Sequence, residues 1–243
     1  MKQINKMKVL VVTLLMIGLV MSLFILVNDQ VNQSNNQLIA ANKVKTNQNK
    51  SANSVVKDEL LTLVNFENTI PKDWKVDLVR LNNGQSVDRR IYDDLIAMLQ
   101  AAKSEGLNPL ICSSYRTNEK QEQLYQNKVS EYLSQGYSKV EASDKAAFWV
   151  ARPGTSEHQL GLAVDIVSTK NQRLDRSQEN TVEQQWLIQN SWKYGFVLRY
   201  PTNKNSITGV GYEPWHYRYV GKVHAKKINE LGICLEEYVK MNK

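Results

Sequence analysis

An α+β domain, with a mainly antiparallel central sheet flanked by helices, is the fold this sequence predicts. Apolar residues recur at helical spacing in some segments and in short strand-like runs in others, and the two kinds interleave. Residues 196–200 and 216–220 both read as strands, with no helix between them. That order fits an antiparallel sheet better than a doubly wound parallel one. No internal repeat is visible.

The elements follow in order. Residues 88–105 carry Ile91, Leu95, Met98, Leu99 and Ala102 at helical spacing, and Gly106 supplies a stop. Residues 107–113 read as a short buried strand. A second helix over 118–133 ends before Gly136. Ser138-Lys139-Val140-Glu141 is a capping box, opening a third helix that runs to about Val150. Residues 160–167 are a strand in which Ala163, Asp165 and Val167 share one face and Leu162, Val164 and Ile166 the other. Another helix spans 181–194, with Gly195 after it. Strands at 196–200 and 216–220 precede a single closing helix over 223–239. Trp74, Trp149, Trp186 and Trp192 are expected in the core, and His224 on the surface. Trp215 and Tyr217 either line a pocket or pack inside.

This domain occupies residues 55–243. Before it, the run from Val9 to Val27 has no charge and is broken only by Thr13, Gly18 and Ser22. It is just long enough for a bilayer core of roughly 30 Å. Lys2, Lys6 and Lys8 precede it and Asp29 follows, so the positive-inside rule places the domain outside the cell membrane. Residues 1–27 are therefore expected to be a cytoplasmic stub and single-pass transmembrane anchor. A cleaved signal peptide is the alternative, although no small-residue cleavage site precedes Asn28. Residues 28–54, rich in Asn, Gln, Ser and Lys, read as a flexible polar linker with a span on the order of 30 Å.

The formal net charge of +7 is spread without a block of like charges, which argues against a nucleic-acid partner. Two cysteines occur, Cys112 and Cys234, and sequence leaves their pairing open. Neither lies near the residues that follow.

His158, Asp165 and His216 supply two imidazole nitrogens and one carboxylate oxygen. A catalytic zinc wants three such protein ligands and leaves a further position to water. Taken singly, each has an ordinary explanation: an Asp paired with an Arg, or a polar His. Taken together they point to metal, since Asp165 sits in the apolar run Leu162-Ala163-Val164-Asp165-Ile166-Val167, where a lone charge is costly. Gly161 lets the chain turn between His158 and Asp165. Glu213, three residues before His216, is placed to act as a general base on a zinc-held water.

Three stretches carry a resemblance. Ser113-Ser114-Tyr115-Arg116-Thr117, then Pro153-Gly154-Thr155-Ser156-Glu157-His158-Gln159-Leu160-Gly161-Leu162-Ala163-Val164-Asp165-Ile166, then Glu213-Pro214-Trp215-His216-Tyr217-Arg218-Tyr219-Val220-Gly221 resemble the zinc D-alanyl-D-alanine carboxypeptidases of the VanY type. The likeness runs from about Leu63 to the C-terminal helix. Leu160 stands where many relatives have Thr. The resemblance implies a hydrolase that removes the last D-alanine from peptidoglycan stem peptides with one zinc ion per chain. His158, Asp165 and His216 would hold the metal and Glu213 would be the base. Arg116 would hold the substrate's terminal carboxylate with its bidentate fork. Gln121 and Ser156 would make secondary substrate contacts. Within the same resemblance, an L,D-carboxypeptidase acting on tetrapeptide stems, a peptidoglycan endopeptidase and a non-catalytic wall-binding module remain open.

Overall fold

The structure, a computed structural model, describes residues 59–242. The anchor and linker expected over 1–54 lie outside these residues. Among the described residues no helix is long and apolar enough to cross a membrane.

The chain opens with a hairpin of β1 (Leu78–Arg80) and β2 (Ser86–Asp88), paired antiparallel. Then come α1 (Arg89–Ser104), β3 (Pro109–Ser113), α2 (Asn118–Ser134) and α3 (Lys139–Ala147). A 3-10 turn (Glu157–Leu160) leads into β4 (Ala163–Ser168). Helix α4 (Val182–Asn190) continues as a 3-10 turn (Ser191–Tyr194) into β5 (Phe196–Leu198). Finally α5 (Asn205–Thr208), β6 (His216–Tyr219), α6 (Lys222–Leu231) and α7 (Leu235–Met241) complete the domain.

The main sheet has the order β3-β4-β6-β5, with every neighbouring pair antiparallel. This is the α+β class with the antiparallel sheet that the sequence predicts. Asp88 caps α1, its Oδ1 accepting from the Arg90 amide at 2.9 Å. The helix then buries Ile91, Leu95, Met98 and Ala102 in one core with Leu162, Val164 and Ile166. Each large side chain so buried contributes roughly 1.5–3 kcal/mol. Helices α2 and α3 pack on each other through Tyr125, Val129, Ala142 and Ala146, and the Ser138–Glu141 capping box is present.

Several expectations need correcting. The third helix stops at Ala147, and the strand expected from 160 begins at Ala163, because residues 157–160 coil into the 3-10 turn. The single closing helix is two, broken where Gly232 takes a left-handed φ of 63°. His224 is buried rather than exposed, 2.7 Å from the Tyr238 hydroxyl. Trp149 is 42% exposed and does not fill the core, whereas Trp186 does. Cys112 and Cys234 are unpaired. Cys112, expected away from the metal motif, in fact donates its thiol hydrogen to the Asp165 carbonyl at 3.4 Å.

Candidate functional site

Strand register builds the site. On adjacent antiparallel strands, Asp165 of β4 lies directly opposite His216 of β6, and on its other side opposite Ser113 of β3, next to an irregularity in that pairing. Residues directly opposite on one face bring their side chains together. His158 arrives from the 3-10 turn just before β4. Gly161 reverses the chain there with φ +73°, and a Cβ at that position would stand 2.7 Å from Val76 Cγ1 and 3.1 Å from Asp88 Cβ. Only glycine meets both demands.

The structure thus brings His158, Asp165 and His216 together, buried, with one candidate ligand atom from each within 4.8 Å of the others. His158 Nε2 is 3.2 Å from Asp165 Oδ2, and His216 Nδ1 is 3.1 Å from Asp165 Oδ1. The far nitrogen of each ring is also engaged. His158 Nδ1–H donates to the Ser114 carbonyl at 2.7 Å, and His216 Nε2 faces Glu157 Oε2 at 3.4 Å. Rings held from behind in this way present one fixed nitrogen to a metal. Two imidazole nitrogens and a carboxylate oxygen, buried and oriented, fit the donor set of a zinc ion.

The electrostatics agree with that fit. Burial, with the Arg116 charge nearby, pulls His158 down to about 4, so it is neutral at pH 7, the form that ligates metal. Burial alone would raise Asp165, but contacts with His158, His216 and Arg116 hold it well below the usual carboxylate range. Burial also favours a neutral His216, yet its hydrogen bonds to Asp165 and Glu157 outweigh that and push it up to about 9. A positive charge on this ring is therefore welcome between two carboxylates, whether a proton or a metal supplies it.

The cluster forms the floor of a cavity of about 330 Å3 whose walls include Arg116, Ser156, Tyr200, Glu213 and Trp215. A second cavity of about 430 Å3 shares Lys128, Trp149, Leu174 and Trp215 with it. Glu213 Oε2 is 3.8 Å from His216 Nδ1. Burial pushes this carboxyl up to about 8; His216 opposes the shift and Asp165 adds to it. A carboxyl so raised carries a proton at pH 7 in the metal-free site and must give it up before it can serve as a general base, a change that the positive charge of a nearby metal ion would favour.

Arg116 follows β3, and its amide donates to the His158 carbonyl at 3.2 Å. Its Nη2 donates to Asp165 Oδ2 and Ser113 Oγ, both at 2.7 Å, Nε to Ser113 Oγ at 2.9 Å, and Nη1 to Gln121 Oε1 at 3.3 Å. Those four bonds use four of its five N–H groups and leave one on Nη1. Gln121 is fully buried, and its Nε2 donates to the Ala151 carbonyl at 2.7 Å. The structure therefore places Gln121 behind Arg116, and Ser156 on the cavity wall.

The sequence offers Arg199 and Tyr200 only as candidate neighbours of the cleft and gives Glu157 no role; the structure puts Tyr200 on the cavity wall and Arg199 behind it, on Glu157. Tyr200 packs its ring 4.9 Å from the His216 ring. The partners of Glu157, Arg199 and Arg218, lie 42 and 61 residues away along the chain. No local pattern announces such a pairing.

Comparison with known proteins places related chains beside this one. The family model described as VanY, D-alanyl-D-alanine carboxypeptidase, matches residues 84–222. A D-alanyl-D-alanine carboxypeptidase of Enterococcus faecalis (strain ATCC 700802 / V583) is 49% identical over 183 residues, covering 75% of this chain. The aligned stretch spans 66% of that relative's own length, just under two thirds. Among solved structures, VanYB in complex with D-alanine-D-alanine is 48% identical with a TM-score of 0.70, covering 75% of this chain and 98% of the other. A Glu-to-Ala mutant of the vancomycin resistance D,D-pentapeptidase VanY, in complex with Zn(II), is 46% identical with a TM-score of 0.68, covering 74% and 99%.

Proposed function

Because this chain belongs to the VanY family of D-alanyl-D-alanine carboxypeptidases, we propose that it is a zinc-dependent carboxypeptidase that removes the terminal D-alanine from peptidoglycan stem peptides. The observation that carries this reading is the convergence of His158, Asp165 and His216 beneath a cleft walled by Glu213 and Arg116.

Zinc would be held by His158 Nε2, His216 Nδ1 and the Asp165 carboxylate, and when bound it would supply Lewis acidity towards the scissile carbonyl and towards water. The chain's own residues do the rest. Glu213, as the ionised carboxylate, takes a proton from the attacking water and, as the acid so formed, returns it to the leaving amine. Such proton transfer is worth about 10² to 10⁴ in rate. Arg116 offers its charge and its remaining Nη1 hydrogen to the substrate's terminal carboxylate, which selects a free C-terminus. Gln121 holds Arg116 from behind, and Ser156 offers a hydroxyl at the wall. The adjoining cavity leaves room for the upstream part of a peptide. We read residues 9–27 as the anchor that holds this domain outside the cell membrane, and residues 28–54 as its tether. Surface proteolysis of intact cells, which should release the domain, tests that placement.

The test of the reaction is mass spectrometry of pentapeptide and tetrapeptide stems incubated with the zinc-loaded chain, with and without chelator. Chelator-sensitive loss of one alanine from the pentapeptide alone is expected. Loss from the tetrapeptide alone would move the chain to the L,D class with the same machinery. No cleavage of either would refute the exopeptidase.

A further inference from the structure

Glu157 lies next to His158 in sequence, yet its carboxylate serves the other histidine. Its two oxygens divide their work. Oε1 accepts from Arg199 Nε and from Arg218 Nη1, both at 2.7 Å, while Oε2 faces His216 Nε2 at 3.4 Å. The side chains of Glu157, Arg199 and Arg218 are all 0% exposed. Arg199 is gripped in turn by both oxygens of Glu236 on α7, at 2.6 and 2.8 Å. Arg218 spends Nη2 on the carbonyls of Leu60 and Thr62, at 2.9 Å each. Two carboxylates thus meet two guanidiniums, and the group is neutral overall.

Buried ion pairs are poor stabilisers compared with apolar residues of like volume, because desolvation consumes the Coulomb gain. Packing alone therefore does not account for four charges at this place. A histidine that binds metal through one nitrogen needs a partner on the other to set its tautomer and ring angle. His158 has the Ser114 carbonyl for this, and among the described residues His216 has only Glu157 within hydrogen-bond reach of Nε2.

Building on the zinc reading, we infer that Glu157 is the positioning residue of the metal site: held by Arg199 and Arg218, it fixes the proton of His216 on Nε2 and so commits Nδ1 to the metal. One turn of chain then supplies a ligand, His158, and the support of a second ligand on a different strand. The shared turn ties the two histidines' positions together.

Two measurements on the full chain test this. In the zinc-loaded parent, imidazole nitrogen NMR should show one ligand histidine protonated on Nδ1, which is His158, and one on Nε2, which is His216. A His216 that carries its proton on Nδ1 overturns the inference without any variant. Secondly, Glu157→Met should weaken zinc binding about 10- to 100-fold in a chelator-competition titration. Because that variant strands the buried Arg218, the double variant Glu157→Met/Arg218→Met is compared with it. The double variant leaves Arg199 paired with Glu236 and should recover its melting temperature while zinc binding stays weak. Parent-like zinc affinity in the folded double variant would mean that Glu157 serves only the fold, and the inference fails. A parent that takes up no zinc sinks the metal reading itself, and the inference with it.

Discussion

Two buried glutamates flank the His216 ring, and they have opposite characters. Glu157 faces Nε2 and Glu213 faces Nδ1, at 3.4 and 3.8 Å. Burial pushes both carboxyls upward. At Glu157 the charges of Arg199 and Arg218 overwhelm that push and hold the group well below the usual carboxylate range. At Glu213, among the described residues, no guanidinium forms an ion pair; His216 and the Arg116 charge only partly offset burial, and the group rises to about 8. The same side chain is thus a permanent anion on one side of the ring and a proton carrier on the other. Charge partners, not burial, decide which.

If that division is right, breaking it at Glu213 has the largest effect. Glu213→Ala should fold and keep zinc while turnover falls by about 10² to 10⁴. Steady-state kinetics beside metal analysis checks this. Loss of zinc along with turnover would mean that Glu213 helps to hold the metal.

Breaking it at Glu157 should instead strike the fold and the metal. Glu157→Met leaves the buried Arg218 guanidinium without a carboxylate and Arg199 with Glu236 alone, and breaking such a buried pair typically costs about 3–5 kcal/mol. Denaturant unfolding of the metal-free chain measures it, and an unchanged midpoint would contradict the buried network.

A smaller effect sharpens the comparison through pH. Glu157 is depressed from an ordinary value of 4.5, so its contribution to stability is complete above about 4.5 and is lost as pH falls through its lower folded value. Glu213 is raised to about 8, so its protonated form favours the fold below about 4.5 and that advantage is lost as pH rises through about 8. The metal-free Glu213→Gln chain should therefore gain stability over the parent between pH 5 and pH 9, as thermal melts across about that window would show. No divergence would mean that Glu213 is not raised.

The smallest effect expected concerns His158, whose support is a main-chain carbonyl. Ser114→Ala removes the hydroxyl that accepts from the Ser86 amide at 3.1 Å and donates to Gln85 at 2.8 Å, for about 1 kcal/mol. It leaves the carbonyl in place, so zinc affinity should match the parent.

Much of this was legible before the structure. The convergence of His158, Asp165 and His216 follows from types and motifs that have few other uses in an apolar strand. Helix α1 and the α3 capping box follow from local spacing and chemistry. The β1–β2 hairpin was missed because its strands have three residues each, too few to show alternation. Asn83-Gly84 in its turn, with Gly84 at φ +85°, was the available signal. The break in the last helix has a similar cue in Gly232, outvoted by the apolar spacing on either side. The network around Glu157 had no cue, because it is written in contacts between residues far apart in the chain.

The most direct test of the division between the two glutamates is turnover measured against zinc concentration for Glu213→Ala and for Glu157→Met/Arg218→Met. The account predicts that the double variant recovers turnover as zinc rises, while Glu213→Ala stays slow at every concentration. Recovery of Glu213→Ala to the parent rate at saturating zinc would contradict it.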